Sequence, residues 1–462
     1  MWKSKLTPTK VSIVIITISL IWTIFNICPW RNAEKENAVI YQDVVGYYCY
    51  LPAAFIHNDL SFSFVEQDTI KFNRSKYVPI SIPETGGNVI KMTSGMSYLY
   101  APFFAIGHVY ALNSSKYEAN GYTTPYEVAL TFGSVFYVII GFIFLRLLLL
   151  RHFSENISAI VILSILYGTN LFYYSTTEPA MSHSYSFCLF AIFAFCGLKW
   201  LDTQKLKHAV FLGLIGGLIV LIRPVNLLVF IFPLLYNVKS KEEIKGRFKL
   251  LLNHYPHILW MVTLSFLVIL PQLIFWKYNS GQWVYYSYQD EGFFFLNPHI
   301  IDGLFSYRKG WLLYTPIMVF ALIGIVISFQ ENKKLFWSLA VYLPVHIYIV
   351  FSWWCWWYGG SFGSRVMIET YVLLALPLGV FLTYLSNRKK YIKVLVSILF
   401  LFFVTLNLVQ TQQRRKGTIH WDGMTKEAYW KRFMDVGDPK GIYPYFKYPD
   451  YAAAKKGIEK YP

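Results

Sequence analysis

The chain has 462 residues, 55% of them hydrophobic, 19% aromatic and only 15% charged. A soluble domain carries roughly 25% charged residues, so the composition argues against a soluble protein and for a membrane one. The formal charge of +17 does not mark a nucleic-acid partner. The basic residues fall mostly in short connections between apolar stretches, where the positive-inside bias accounts for them.

A crossing helix needs about 20 mostly apolar residues. In chain order, the first candidate is 11–28, preceded by Lys3, Lys5 and Lys10. No small-residue cleavage site follows it, so it reads as an uncleaved span rather than a signal peptide. A long segment, 29–125, comes next. Within it, 47–56 and 96–112 are apolar or aromatic but too short, or too interrupted by Pro and Gly, to span. Both read as helices lying at the interface with Tyr as anchor. Further spans are predicted at 126–149, 157–174, 183–200, 207–222, 225–237 and 256–276. A second long segment, 277–310, precedes spans at 311–328, 335–352, 366–386 and 391–410. The basic, Tyr-rich tail 411–462 has little apolar content and reads as a small cap. The expected fold is thus an all-α, polytopic bundle of about eleven transmembrane helices, with 1–410 as one membrane module.

Orientation follows from the basic connections. Arg146, Arg151, the stretches 199–207 and 239–249, Lys333, Lys334 and 388–393 all lie on the side of the N-terminal lysines. This requires that 207–237 cross twice, turning at Arg223-Pro224, where Pro removes a helix donor and disfavours helix in the residue before it. The N-terminus is then cytoplasmic and the tail extracytoplasmic. The compact chain points to a bacterial plasma (inner) membrane. Cys28, Cys49, Cys188, Cys196 and Cys355 have no metal-type or paired spacing, so no disulfide framework is expected. Asn73-Arg74-Ser75 and Asn113-Ser114-Ser115 match a glycosylation triplet that recurs by chance. No internal repeat is visible.

The other side gathers acids, Arg and aromatics. Asp43, in YQDVVGYYCYLPA beside Tyr47, is a candidate general base; a solvated loop carboxylate is its ordinary role. Glu178 and His183, in TTEPAMSHSYSF, face the same compartment. Two acids there fit an arrangement that orients an acceptor and separates pKa values, whereas a turn residue and a hydrogen-bonded interfacial histidine are the plain alternatives. Arg223 interrupts an apolar stretch, which marks a functional candidate unless it only snorkels. Lys91, Arg308 and Lys309 lie where the charge bias disfavours them and call for an anionic partner such as a lipid phosphate. The densest stretch is SWWCWWYGGSFGSRVMIETY at 352–371. Its Trp residues form an interfacial belt in their usual role. Trp357, Tyr358 and the glycines, followed by Arg365 and by Glu369 one turn later, suggest a bound headgroup.

In order and placement the chain resembles the integral-membrane glycosyltransferases of the GT-C fold, in particular protein O-mannosyltransferases and the aminoarabinose transferase of lipid A. The likeness covers roughly 11–385. It rests on an acid after the first span (Asp43), a basic residue before a Tyr/Pro-containing helix (Lys91 before SGMSYLYAPFF), a span ending in Arg (FIFLRLLLLR), a second acid (Glu178), and WWYGGSFGSR. Val44 stands where many relatives have a second acid, Glu178 where Asp is commoner, and Arg223-Pro224 where a lysine-glycine turn is usual. The resemblance implies transfer of a sugar from a polyprenyl-phosphate donor to a lipid, glycan or protein acceptor, with inversion. Asp43 and Glu178 would be catalytic. Lys91, Arg223, Arg308, Lys309 and Arg365 would bind the donor phosphate. Tyr47, His183, Trp357, Tyr358 and Glu369 would contact acceptor or headgroup. Divalent-metal use varies in this superfamily, and no ligand motif is evident in the sequence. A polysaccharide ligase or polymerase shares the lipid-linked donor. A transporter or flippase would instead place its polar groups near the midplane of two related halves.

Overall fold

A computed structural model describes residues 6–32, 39–67 and 79–459. Lys3, Lys5 and Asn73-Arg74-Ser75 lie outside the described residues. The protein is all-α. The strands among the described residues are Ile80–Ile82 and Gly87–Val89, a small antiparallel hairpin pairing Ile80 with Val89.

Among the described residues, six helices are long and apolar enough to cross a membrane: α1 (Pro8–Ile27), α2 (Thr124–Leu149), α3 (Ser182–Thr203), α4 (Tyr255–Ser280), α5 (Lys333–Phe351) and α6 (Lys390–Lys416). Five predicted spans are shorter apolar helices: Glu155–Tyr167, Leu206–Ile222, Pro224–Leu235, Met318–Glu331 and Tyr371–Ser386. Local chemistry explains their length. Ser154 caps the first by accepting the Ile157 N–H, and Gly168 ends it; the helix resumes at Leu171. Pro316 follows the break at Thr315, so 311–328 divides into Trp311–Tyr314 and Met318–Glu331. The stretch after Arg223 begins as a 3₁₀ helix, Pro224–Phe230, which rises about 2.0 Å per residue against 1.5 Å for an α-helix and so covers more distance with fewer residues.

α3 is the central element, with 78% of its apolar window buried, whereas only 11% is buried in α4 and in α6. Apolar helices that expose almost their whole surface need hydrocarbon around them. Leu206–Ile222 packs against α4 through Gly213 and Gly217. An added Cβ would come within 2.8 Å of the Met261 carbonyl oxygen at the first and 2.7 Å of Ser265 Cα at the second. This small-xxx-small spacing lets two backbones approach, and Ser265 Oγ donates to the Gly213 carbonyl at 2.8 Å.

The helix ends sort into two groups. At one end, Thr9 N donates to Glu155 Oε2 at 3.1 Å, Arg146 pairs with Glu155 at 3.2 Å, and Arg151 pairs with Asp202 at 2.7 Å. Asn237 N donates to the Lys334 carbonyl, and Arg247 to that of Tyr236. These are the connections the charge bias groups together. At the opposite end lie Asp43, Glu178, Arg223, Arg365 and Glu369, joined by the pairs described below. Arg223 belongs to one group and Tyr236 to the other, so Pro224–Leu235 links the two.

The segment 47–56 is helical, as Asp43–Tyr48, Tyr50–Pro52 and the π-turn Ala53–His57. Its tyrosines turn inward rather than anchoring at an interface. Tyr48 is buried and donates to the Gly121 carbonyl, and Tyr50 to that of Met92. Helix Gly95–Leu112 covers them and leaves Ile106, Val109, Tyr110 and Leu112 exposed on its outer face. α6 runs on to Lys416, so the first residues assigned to the tail are helical.

Candidate functional site

Asp43 opens its short helix behind Gln42, which has a positive φ of 47°. Tyr358 is likewise in the left-handed region, at φ 56°. Such conformations cost about 1–3 kcal/mol at non-glycine residues and collect at functional sites. Both strained positions bear on one cluster.

The centre of that cluster is Arg365. Its Nη2 donates to Asp43 Oδ2 at 3.0 Å, across 322 residues of sequence. The Asp43 side chain is 33% exposed and that of Arg365 only 12%. The Arg365 Nε is buried with no partner among the described residues. Burial opposes the guanidinium charge, but Asp43, Tyr174, Glu178 and Tyr47 more than offset it and hold Arg365 firmly protonated.

Glu178, 29% exposed, accepts from Tyr173 Oη at 2.8 Å and lies 3.6 Å from Arg414 Nη2. The second accessible acid therefore shares Arg365's field with Asp43. On the other flank, Glu369 is 1% exposed. Its Oε1 takes His183 Nδ1 at 3.1 Å and Arg223 Nη1 at 3.8 Å. Arg365 and Glu369, one turn apart in sequence, thus serve different partners.

Lys91 sits at the edge of the cluster. It pairs with Glu291 at 2.5 Å and lies 5.1 Å from the Tyr288 ring centroid. Burial raises the Tyr288 hydroxyl pKa, with Tyr47, Arg223, Asp43 and Glu291 as its electrostatic neighbours. Tyr47 is buried, and Tyr358 donates to the Val350 carbonyl at 2.8 Å. Asp43, Tyr47, Glu178, His183, Arg223, Tyr358, Arg365 and Glu369 are thus brought to one place, with Lys91 bordering it.

Arg308, Lys309 and Trp357 lie beneath the C-terminal segment. Arg308 Nη1 pairs with Glu459 at 2.8 Å while the guanidinium lies 5.0 Å from the Trp357 ring. Lys309 Nζ donates to the carbonyls of Ser361 and Trp421. Burial pulls its pKa well down, although Glu178 and Asp422 oppose this. Trp357 is covered by Tyr451, at a ring separation of 5.5 Å. The Trp421 indole rests on Gly360, where a Cβ would come within 2.8 Å of it, so the tail packs directly on the 359–361 turn.

Sequence reasoning missed Arg414, Tyr173, Tyr174 and Tyr288. Arg414 carried the same signal that singled out Arg308: a cation at a helix end on the side poor in positive charge. Among the described residues no group of three or more His, Cys, Asp or Glu side chains is placed to hold a metal ion. No protein-family model matches the chain, and no curated protein matches it.

Proposed function

We propose that the protein is a membrane glycosyltransferase of the GT-C kind, moving a sugar from a polyprenyl-phosphate donor to a lipid, glycan or protein acceptor. The observation that carries this reading is the pairing of a partly exposed carboxylate, Asp43, with the buried guanidinium of Arg365, beside a second cation, Arg223, held by its own acid. Departure of a phosphate needs positive charge fixed in advance, and such preorganised electrostatics is usually the largest catalytic term.

In this reading Arg365 and Arg223 receive the leaving phosphate, with Lys91 at the rim. Asp43 takes the proton from the acceptor as it attacks the sugar carbon from the face opposite the phosphate, inverting it. Glu178, held by Tyr173 and Arg414, orients the acceptor. The apolar helices cross a bacterial plasma membrane eleven times, counting the five shorter ones, with the N-terminus cytoplasmic and the site and tail outside. The exposed apolar faces give the polyprenyl chain a lipid-side approach.

The test is turnover of reconstituted protein with a panel of polyprenyl-phosphate sugars and membrane extract as acceptor source. Release of polyprenyl phosphate with one of them, lost in Asp43→Asn, is expected. No release with any donor, from well-folded protein, contradicts the reading.

A further inference from the structure

We infer that Glu369 and His183 are positioning residues: together they hold the Arg223 guanidinium toward the site and do not themselves touch substrate. This rests on the proposed role of Arg223 at the donor phosphate. The first observation is burial. The Glu369 side chain is 1% exposed and that of His183 is 0%, while that of Arg223 is 21% exposed. An acceptor or headgroup can reach the arginine but not the two groups behind it.

The second observation is how Arg223 leaves its helix. It follows Ile222 in extended conformation, φ −151°, and precedes Pro224. Nothing in the local backbone fixes so long a side chain, whose rotamer freedom is costly to lose at the moment of binding. The fixing group comes from 146 positions further on, where Glu369 Oε1 lies 3.8 Å from Arg223 Nη1. Glu369 is set in turn by His183, whose Nδ1 lies 3.1 Å from the same oxygen. Because the carboxylate accepts, His183 carries its hydrogen on Nδ1. Such a chain of supporting contacts is what preorganises a binding group.

The third observation is that one carboxylate oxygen, Glu369 Oε1, lies nearest both His183 and Arg223, so the acid couples the buried histidine to the partly exposed arginine. His346 of α5 is buried nearby, with its Nε2 3.3 Å from the Val366 carbonyl.

The experiment measures binding of a polyprenyl monophosphate, and thermal melting, for wild type, Glu369→Gln, Arg223→Ala and the double variant, with Glu369→Asp as the charge-keeping control. Glu369→Gln is expected to weaken binding by about tenfold, the low end for a charge-assisted contact. Arg223→Ala should weaken it at least as much, and the double variant no further than Arg223→Ala alone, because the acid acts through the arginine. Glu369→Asp should recover most of the binding. Additive losses, or binding by Glu369→Gln equal to wild type, overturn the inference. If Glu369→Gln fails to fold, equal loss of binding in a folded Glu369→Asp does so. Absence of binding by wild type overturns the functional reading of Arg223 instead; the melting cycle then still reports whether Glu369 and Arg223 are coupled.

Discussion

The two ends of the bundle use charge differently. At the basic end, Arg146, Glu155, Arg151 and Asp202 form pairs with side chains 18–45% exposed. At the site end, Arg365, Glu369 and His183 are nearly buried, and each meets a group distant in sequence. At the first end the charges follow from which way the helices run. At the second they are held against desolvation, which is unfavourable unless geometry or function compensates. That contrast is the reason for locating chemistry at the second end.

The largest effect that would sharpen the contrast is on turnover. Asp43→Asn keeps the shape of the side chain and removes its capacity to take a proton; transfer should fall by about 10²–10⁴-fold, the range for a general base, in protein that still folds. Arg151→Gln at the basic end should leave transfer unaltered. Next comes stability. Arg308→Met removes the partner of buried Glu459, and breaking a buried pair costs about 3–5 kcal/mol. The C-terminal segment should then become protease-sensitive, as followed by cleavage between Trp421 and Tyr451.

A pH effect should follow at the same place. His420 accepts the backbone N–H groups of Asp422 and Gly423 on Nδ1, which requires a neutral ring. Burial, then Lys309 and Arg414, push its pKa down to about 4 from the usual 6.5. Because the folded value is the lower, the unfolded ring takes up the proton first on acidification. The stabilisation is therefore complete above about pH 6.5 and is lost as pH falls toward 4. Exchange protection of residues 417–450, relative to the intrinsic rate at each pH, should fall across that interval and hold steady between about pH 7 and 8. The smallest effect belongs to the basic end, where Arg151→Gln should change stability by no more than about 1 kcal/mol, as exposed pairs do.

Much of this fold was legible because long apolar runs and basic connections are strong signals. All eleven predicted spans hold an apolar helix. Their interruptions were less legible: Gly168-Thr169-Asn170 breaks a run where Asn170 Nδ2 donates to the Phe362 carbonyl at 3.0 Å, a partner 192 residues away. The site was legible as a set of residues but not as pairs. Position alone picked out Asp43 and Arg365; their contact depends on two segments meeting in space. Arg308 and Lys309 read as cations wanting an anion, but their contacts with Glu459 and the Trp421 carbonyl depend on the tail folding back across 151 and 112 residues. Arg414 lies beyond the predicted span 391–410, on the continuation of that helix to Lys416.

The most direct test compares the two ends with one reagent. A photoactivatable polyprenyl phosphate, carrying its reactive group beside the phosphate, is bound to the reconstituted protein and its cross-links are mapped by mass spectrometry. The account predicts labelling on 43–48, 223, 288 and 358–365, competed by unlabelled polyprenyl phosphate and lost in Arg365→Ala. Competed labelling confined to the basic end, on 146–155 or 239–253, would contradict it.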